Sequence, residues 1–238
     1  MIKHYPFNQL GKADHGWLKA NFHFSFSRYY NPKRMGFGTL RVINDDLISA
    51  NSGFPAHPHN NMEIITFVRT GAIHHQDNEG NKGVTKAGEV QVMSAGKGIV
   101  HSEYNHTEEP LTLYQIWIEP NKHNVAPRWE TKLFPTSFTE TQLPLLVSGD
   151  KQDKSALFIN QAAKVFGGKI KKGTTINHPI THQVYVLCSQ GNITLSNSGQ
   201  SINMAKGDGA EVSKTKEVTI TAIDDCEIVI IDAANTPE

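Results

Sequence analysis

Cysteine is nearly absent: Cys188 and Cys226 are the only two in 238 residues, and each lies inside an apolar run. That usage reads as two reduced, buried thiols more readily than as a disulfide framework, and a bridge is not needed. A net charge is missing as well, because 23 Lys and Arg balance 23 Asp and Glu. No field therefore draws the chain to nucleic acid, to an anionic membrane surface or to an acidic substrate. No stretch reaches the ~18 apolar residues of a spanning helix, and Met1 to Leu10 lacks the apolar core of a secretion signal. The expectation is a soluble, cytoplasmic protein that touches neither nucleic acid nor membrane directly. Helix-period patterns are sparse too.

What the chain does carry is β pattern and histidine. Short runs rich in β-branched and aromatic residues alternate with Gly, Asn and Asp clusters, at the spacing of a sandwich or barrel, so the class is all-β. Strands are expected at Thr39 to Asn44, Met62 to Thr70, Gly71 to Gln76, Glu89 to Ser94 and Leu111 to Glu119, with a hairpin turn at Asp77-Asn78-Glu79-Gly80-Asn81. The alternation lapses from Arg128 to Asp153, a polar stretch holding Pro135 and Pro144, which reads as a connection between two halves. A second set follows at Ala156 to Val165, Gln183 to Cys188, Asn192 to Ser196, Gly209 to Val212, Val218 to Ala222 and Cys226 to Ile231. Gly71 has a counterpart in Gly191, and Lys86-Ala87-Gly88-Glu89 is echoed by Ala205-Lys206-Gly207-Asp208. The division is therefore placed at 1–130 and 131–238, with a shared plan that points to duplication.

The 12 His residues are scattered rather than tagged onto one end. Imidazole is the commonest side-chain metal ligand, and residues two apart on a strand project from one face. His57-Pro58-His59 thus presents two imidazoles together, and His101-Ser102-Glu103 an imidazole and a carboxylate. Buried in a barrel without a partner, such groups would cost several kcal/mol, about the penalty that a bound cation removes. The candidate metal ligands are His57, His59, His101 and Glu103. Three nitrogens and one oxygen suit one divalent transition metal ion, Fe(II) being the first choice and Mn, Co, Ni, Cu or Zn acceptable. Four protein ligands leave a coordination position open for a substrate oxygen or dioxygen.

Around these residues lie further signals. Gly53, Glu63 and Gly71 give H-x-H-x3-E-x7-G, and Gly88-x5-Ser94 leads through Gly96 and Gly98 to His101 and Asn105. These are forms of the two cupin motifs. With Phe24-Ser25-Phe26, Tyr29-Tyr30-Asn31-Pro32, Leu40 to Asp46, Gly71 to Asp77, Ser94 to Ile99 and Gln115-Ile116-Trp117-Ile118, the chain resembles the pirin family, and within it the bacterial quercetin 2,3-dioxygenase-like members. The resemblance implies a bicupin: an N-terminal metal-binding cupin packed on a C-terminal cupin without metal ligands. It implies that the carboxylate ligand is Glu103 rather than Glu63, leaving Glu63 to orient a histidine.

The same resemblance implies a metal-dependent dioxygenase that opens the central ring of a flavonol such as quercetin and releases carbon monoxide. Its partners would be a small aromatic substrate and dioxygen, with Glu103 as ligand and base in turn. The alternative is a metal-binding redox sensor or transcriptional cofactor of pirin type, which acts on a protein partner. Other residues read more blandly. His74 and His75 sit on adjacent strand positions, so one faces inward, each with a solvent or backbone partner. His178 and His182 have the i, i+4 spacing of a helix face. Phe22, Phe24 and Phe26 read as a packed strand face, and His106 and His123 as solvated loop residues.

Overall fold

The computed structural model describes residues 1–235. Its first half runs β1 (Ile2–Tyr5), β2 (Gly11–Asp14), β3 (Leu18–Phe22), β4 (Leu40–Ile48), β5 (Ser52–His59), β6 (Glu63–Thr70), β7 (Ala72–Asp77), β8 (Lys82–Lys86), β9 (Glu89–Ser94), β10 (Ile99–Asn105), β11 (Leu111–Ile118) and β12 (Arg128–Leu133). The remainder is β13 (Phe138–Thr139), β14 (Leu145–Ser148), β15 (Leu157–Phe158), β16 (Lys164–Ile170), β17 (Thr175–Pro179), β18 (Gln183–Gln190), β19 (Asn192–Asn197), β20 (Gln200–Ala205), β21 (Gly209–Val212), β22 (Glu217–Ala222) and β23 (Cys226–Ala233). Among the described residues no helix is long and apolar enough to cross a membrane. The all-β bicupin expectation is met.

The strands form two barrels built to one plan. In the first, a 7-stranded sheet ordered β12-β9-β6-β11-β4-β3-β2 faces a 4-stranded sheet ordered β5-β10-β7-β8. The second repeats this: β21-β18-β23-β16 corresponds to β9-β6-β11-β4, and β17-β22-β19-β20 to β5-β10-β7-β8. Gly71 and Gly191 turn the matching hairpins at φ 76° and 75°, a left-handed conformation that favours glycine. The halves also exchange an edge, because β1 pairs with β21 of the second barrel.

Both faces of the central strands are buried, for different reasons. Leu40, Ile43, Ile65, Tyr114 and Ile116 on one large sheet pack against Tyr185, Leu187, Val229 and Ile231 on the other, forming the core between the barrels. The opposite face of the second large sheet fills its own barrel with Val184, Val186, Ile193, Ile220, Ile228 and Ile230. Each such side chain contributes about 1.5–3 kcal/mol on burial. The first barrel is filled only at its ends, by Leu18, Ile48, Leu111 and Leu113 at one and Ile64, Met93 and Ile99 at the other. Between those ends its interior is polar.

Three expectations are corrected. The Arg128–Asp153 stretch is more than a connection, since β12 extends the first sheet by pairing with β9; its alternation is blurred because it is a half-exposed edge. Ala156 to Val165 is not one strand: β15 ends at Phe158 and β16 starts at Lys164, because Asn160 and Gln161 leave the sheet to bond Glu63 and the Glu119 carbonyl in the first half. His178 lies on strand β17, while His182 is exposed in a bend, so they share no helix face. Across the ladder from His178 stands Val218, whereas His101 faces His57 in the first barrel.

A histidine triad over a polar barrel floor

Strands β5 and β10 bring the predicted histidines together. His101 is the direct cross-strand partner of His57, and a register shift between His101 and Glu103 sets Glu103 opposite Phe54. The rings of His57, His59 and His101 have centroids 4.5–5.0 Å apart. One ring nitrogen from each falls within 4.8 Å of the others, and the Nε2 atoms of His57 and His101 are 3.1 Å apart. That is about the spacing of two nitrogens bound side by side to one ion with bonds of ~2.1 Å.

The outer nitrogens of His57 and His101 are fixed, which assigns their tautomers. His57 Nδ1–H donates to the Pro55 carbonyl at 2.7 Å, leaving Nε2 with its lone pair inward. His101 Nδ1 lies 3.4 Å from His75 Nδ1, and His75 Nε2–H donates to Asp77 Oδ2 at 2.9 Å. Asp77 is itself held by the backbone N–H groups of Glu79 and Asn81. Burial, reinforced by repulsion between the rings, lowers the His59 imidazole to about 4 and His101 to about 3. Both are therefore neutral near pH 7, as a metal ligand must be.

Glu103 sits beside the triad on a floor of amides. Its Oε1 accepts from Gln91 Nε2 and its Oε2 from Gln115 Nε2, both at 2.6 Å. One amide donor on each oxygen suits a carboxylate, placed next to the imidazoles. A divalent cation would complement that set of donors. Glu103 groups within 4.8 Å with His101 and His75 rather than with the three-imidazole cluster. The other carboxylate is remote from this: Glu63 accepts from Ser94 Oγ at 2.6 Å and from Asn160 Nδ2 at 3.0 Å. The expectation that it orients a histidine is corrected; it ties the two halves together.

Gln91 and Gln115 have no place among the site residues expected from the sequence, though each is a polar residue at an inward position of an apolar strand. They belong to a row of direct cross-strand neighbours, Thr131, Gln91, Thr66, Gln115 and Asn44, that crosses the large sheet. His75 was underrated likewise. Its partners are side chains, whereas His74 keeps the expected backbone partner, the Tyr104 carbonyl at 3.3 Å. Trp129 stacks on the His75 ring at 4.9 Å and 10°, in space that a side chain at Gly83 would occupy.

Above the triad opens a cavity of ≈ 390 Å³, with His57, His59, His101 and Glu103 in its wall. Its apolar lining includes Trp17, Phe22, Phe26, Phe54 and Trp117. The reading of Phe22, Phe24 and Phe26 as one packed face is thus corrected: Phe24 enters the core between the barrels, while the chain turns after β3 and directs its two neighbours to the cavity. Asn44 and Asp46 on β4 line the same space. Burial, with the Asp45 and Glu103 carboxylates adding to it, pushes the Asp46 carboxyl up to about 8.

Known proteins resemble the chain along its whole length. Residues 4–118 match the Pirin family model, and residues 145–233 match a model described as the quercetinase C-terminal cupin domain. A pirin-like protein of Caulobacter vibrioides is 48% identical over 98% of this chain and 100% of its own. The quercetin 2,3-dioxygenase of Escherichia coli K12 is 40% identical over 94% of this chain and 95% of its own. The crystal structure of the Escherichia coli bacterial pirin YhhW in complex with nickel(II) superposes with a TM-score of 0.91 at 38% identity, covering 99% of this chain and 100% of that one. Two cupin barrels on one duplicated plan, a histidine triad in the first alone among the described residues, and these end-to-end matches lead to one assignment: the chain belongs to the pirin family.

Proposed function

We propose that the protein is a metal-dependent dioxygenase that opens the central ring of flavonols such as quercetin with release of carbon monoxide. The observation that carries this reading is the aromatic-walled cavity of ≈ 390 Å³ directly above three converging imidazoles. Its size lies within the range of small-molecule sites, and an aromatic lining suits a flat polyphenol. A redox sensor needs access only for solvent or electrons, so the cavity favours the enzyme. Relatives named quercetin 2,3-dioxygenase and a nickel(II)-bound pirin support both the substrate class and a divalent transition metal, for which iron(II) is the first ion to test.

In this proposal His57, His59 and His101 would hold the ion through one ring nitrogen each, and Glu103 would be the fourth ligand. When bound, the ion supplies an electrophilic centre with an open position for the 3-oxygen of the substrate. Glu103 lies in the cavity wall and takes the flavonol hydroxyl proton on a carboxylate oxygen, generating the electron-rich anion that dioxygen attacks. Gln91 and Gln115 keep that carboxylate aimed while its charge changes. Trp117, edge-on to His59 at 5.0 Å, packs against the ligand ring and limits water. The first barrel thus carries the chemistry, and the second offers no such ligand cluster among the described residues.

The test is anaerobic loading with Fe(II), Mn(II), Co(II), Ni(II) or Cu(II), then quercetin turnover in air, read as absorbance loss and carbon monoxide release. Metal-dependent turnover that vanishes in His59→Ala supports the reading. Metal binding without turnover transfers the assignment to a sensor that acts through a protein partner. Normal turnover by Glu103→Ala would remove the proton-accepting role alone.

A further inference from the structure

We infer that Asn44 and Asp46 form a hydroxyl-binding subsite in the cavity wall, which selects aromatic ligands bearing a ring hydroxyl over their unsubstituted analogues. This rests on the reading of the cavity as a substrate site, but not on the ring-opening reaction.

The argument starts from hydrogen-bond accounting. The polar row across the barrel floor is satisfied from Thr131 as far as Gln115. Thr85 Oγ1 donates to Gln91 Oε1 at 2.9 Å, Gln91 Nε2 reaches Thr66 Oγ1 at 3.1 Å, and Trp117 Nε1 donates to Gln115 Oε1 at 3.3 Å. The row breaks at β4. Asn44 and Asp46 are 4% and 2% exposed, yet Asn44 Oδ1 and Asp46 Oδ1 have no hydrogen-bond partner among the described residues. Most buried polar atoms in native proteins are paired, and orphans call for a cause.

Placement supplies the cause. Residues two apart on β4 share a face, and this one lines the cavity. Asn44 lies between Gln115 and Phe22, and Asp46 between Leu113 and Ala20, so the neighbouring strands offer Asp46 nothing polar. The adjacent Asp45 points to the opposite side, where Arg69 pairs with it. Among the described residues Asp46 thus pairs with no cation, and its carboxyl oxygen is left to accept from a ligand hydroxyl. Away from the histidines and Glu103, an amide and a carboxyl side by side next to aromatic rings are the kind of polar groups that orient a mostly apolar ligand. Sites of this kind discriminate strongly, because a ligand without the hydroxyl leaves buried groups unpaired.

The test compares 2-naphthol with naphthalene, probes that need no dioxygen chemistry, binding to the Ni(II)-loaded full chain by calorimetry. Wild type prefers naphthol by about tenfold or more, and the ratio falls to about twofold in Asn44→Leu and Asp46→Leu. Asp46→Asn, which keeps an acceptor, retains the preference. Both leucine variants melt at or above the wild-type temperature, because each removes an orphaned buried group, so loss of the preference is not loss of fold. A preference that survives in both leucine variants belongs to the metal and overturns the subsite; so does equal binding of the probes, or no binding, by wild type. If flavonol turnover fails while the naphthol ratio follows the variants, only the dioxygenase reading falls.

Discussion

The Nε2 atoms of His57 and His101 face each other at 3.1 Å across a single rung of the β5–β10 ladder. Two neutral acceptors at that distance repel unless a proton or a cation lies between them. Since both outer nitrogens already donate, to Pro55 and toward His75, a cation between the Nε2 atoms is the arrangement that leaves no group unsatisfied. His57→Ala or His101→Ala is expected to lower Ni(II) affinity by more than about a hundredfold, exceeding the loss typical of outer partners. Calorimetric titration against wild type checks this.

The Asp77–His75–His101 chain predicts a smaller loss at a distance. Asp77→Asn weakens the acceptor that fixes His75 and hence the orientation of His101, and metal affinity should fall about 10- to 100-fold. The Asp77 carboxylate also holds the 77–81 turn through Asn81. Asn81→Ala therefore serves as the control: it disturbs the turn but leaves the His75 contact, and should bind metal nearly as wild type does. Equal losses in the two variants would assign the effect to the turn.

Gln115→Leu should destabilise the metal-free protein by about 1.5–3 kcal/mol, since it strips a charge-assisted bond from buried Glu103. Urea denaturation with and without Ni(II) reads the effect. The cost should shrink when a cation is bound, because the ion compensates the carboxylate.

His23 predicts acid sensitivity away from the metal. Its ring is buried between the barrels, Nδ1 bonds the Tyr185 hydroxyl at 2.9 Å, and Nε2 has no partner among the described residues. Burial, with the Arg34 charge adding to it, lowers it to about 3. Between pH 6.5 and that value the unfolded chain binds a proton that the folded chain refuses, so stability is full above pH 6.5 and declines as pH falls. The loss from this residue reaches about 2 kcal/mol by pH 5 and about 5 kcal/mol at most. His23→Gln should flatten that slope in urea denaturation at pH 7, 5 and 4; an unchanged slope would place the sensitivity elsewhere.

Much of this centre could be read along the chain because its information is local. Two-residue alternation pairs His57 with His59 and His101 with Glu103 on their strands, and turn residues at 77–81 and at Gly71 mark the hairpins. Strand Glu89–Ser94 is found within its expected bounds. The edge strand Arg128–Leu133 was hidden because a half-exposed edge carries no clean alternation. His75 looked bland for a related reason, since its role depends on what β10 and β12 place against it.

The sequence by itself determined the class of fold, the duplication and the identity of the three converging imidazoles, because strand periodicity and short motifs act over a few residues. Only the tertiary structure decided that Glu103 rests on Gln91 and Gln115, that Glu63 bridges the halves, that β1 joins the second barrel, and that Asn44 and Asp46 face the cavity unpaired. Those relations are set by sheet register and by the facing of two sheets, which join residues distant in the chain and leave no periodic trace in either segment alone.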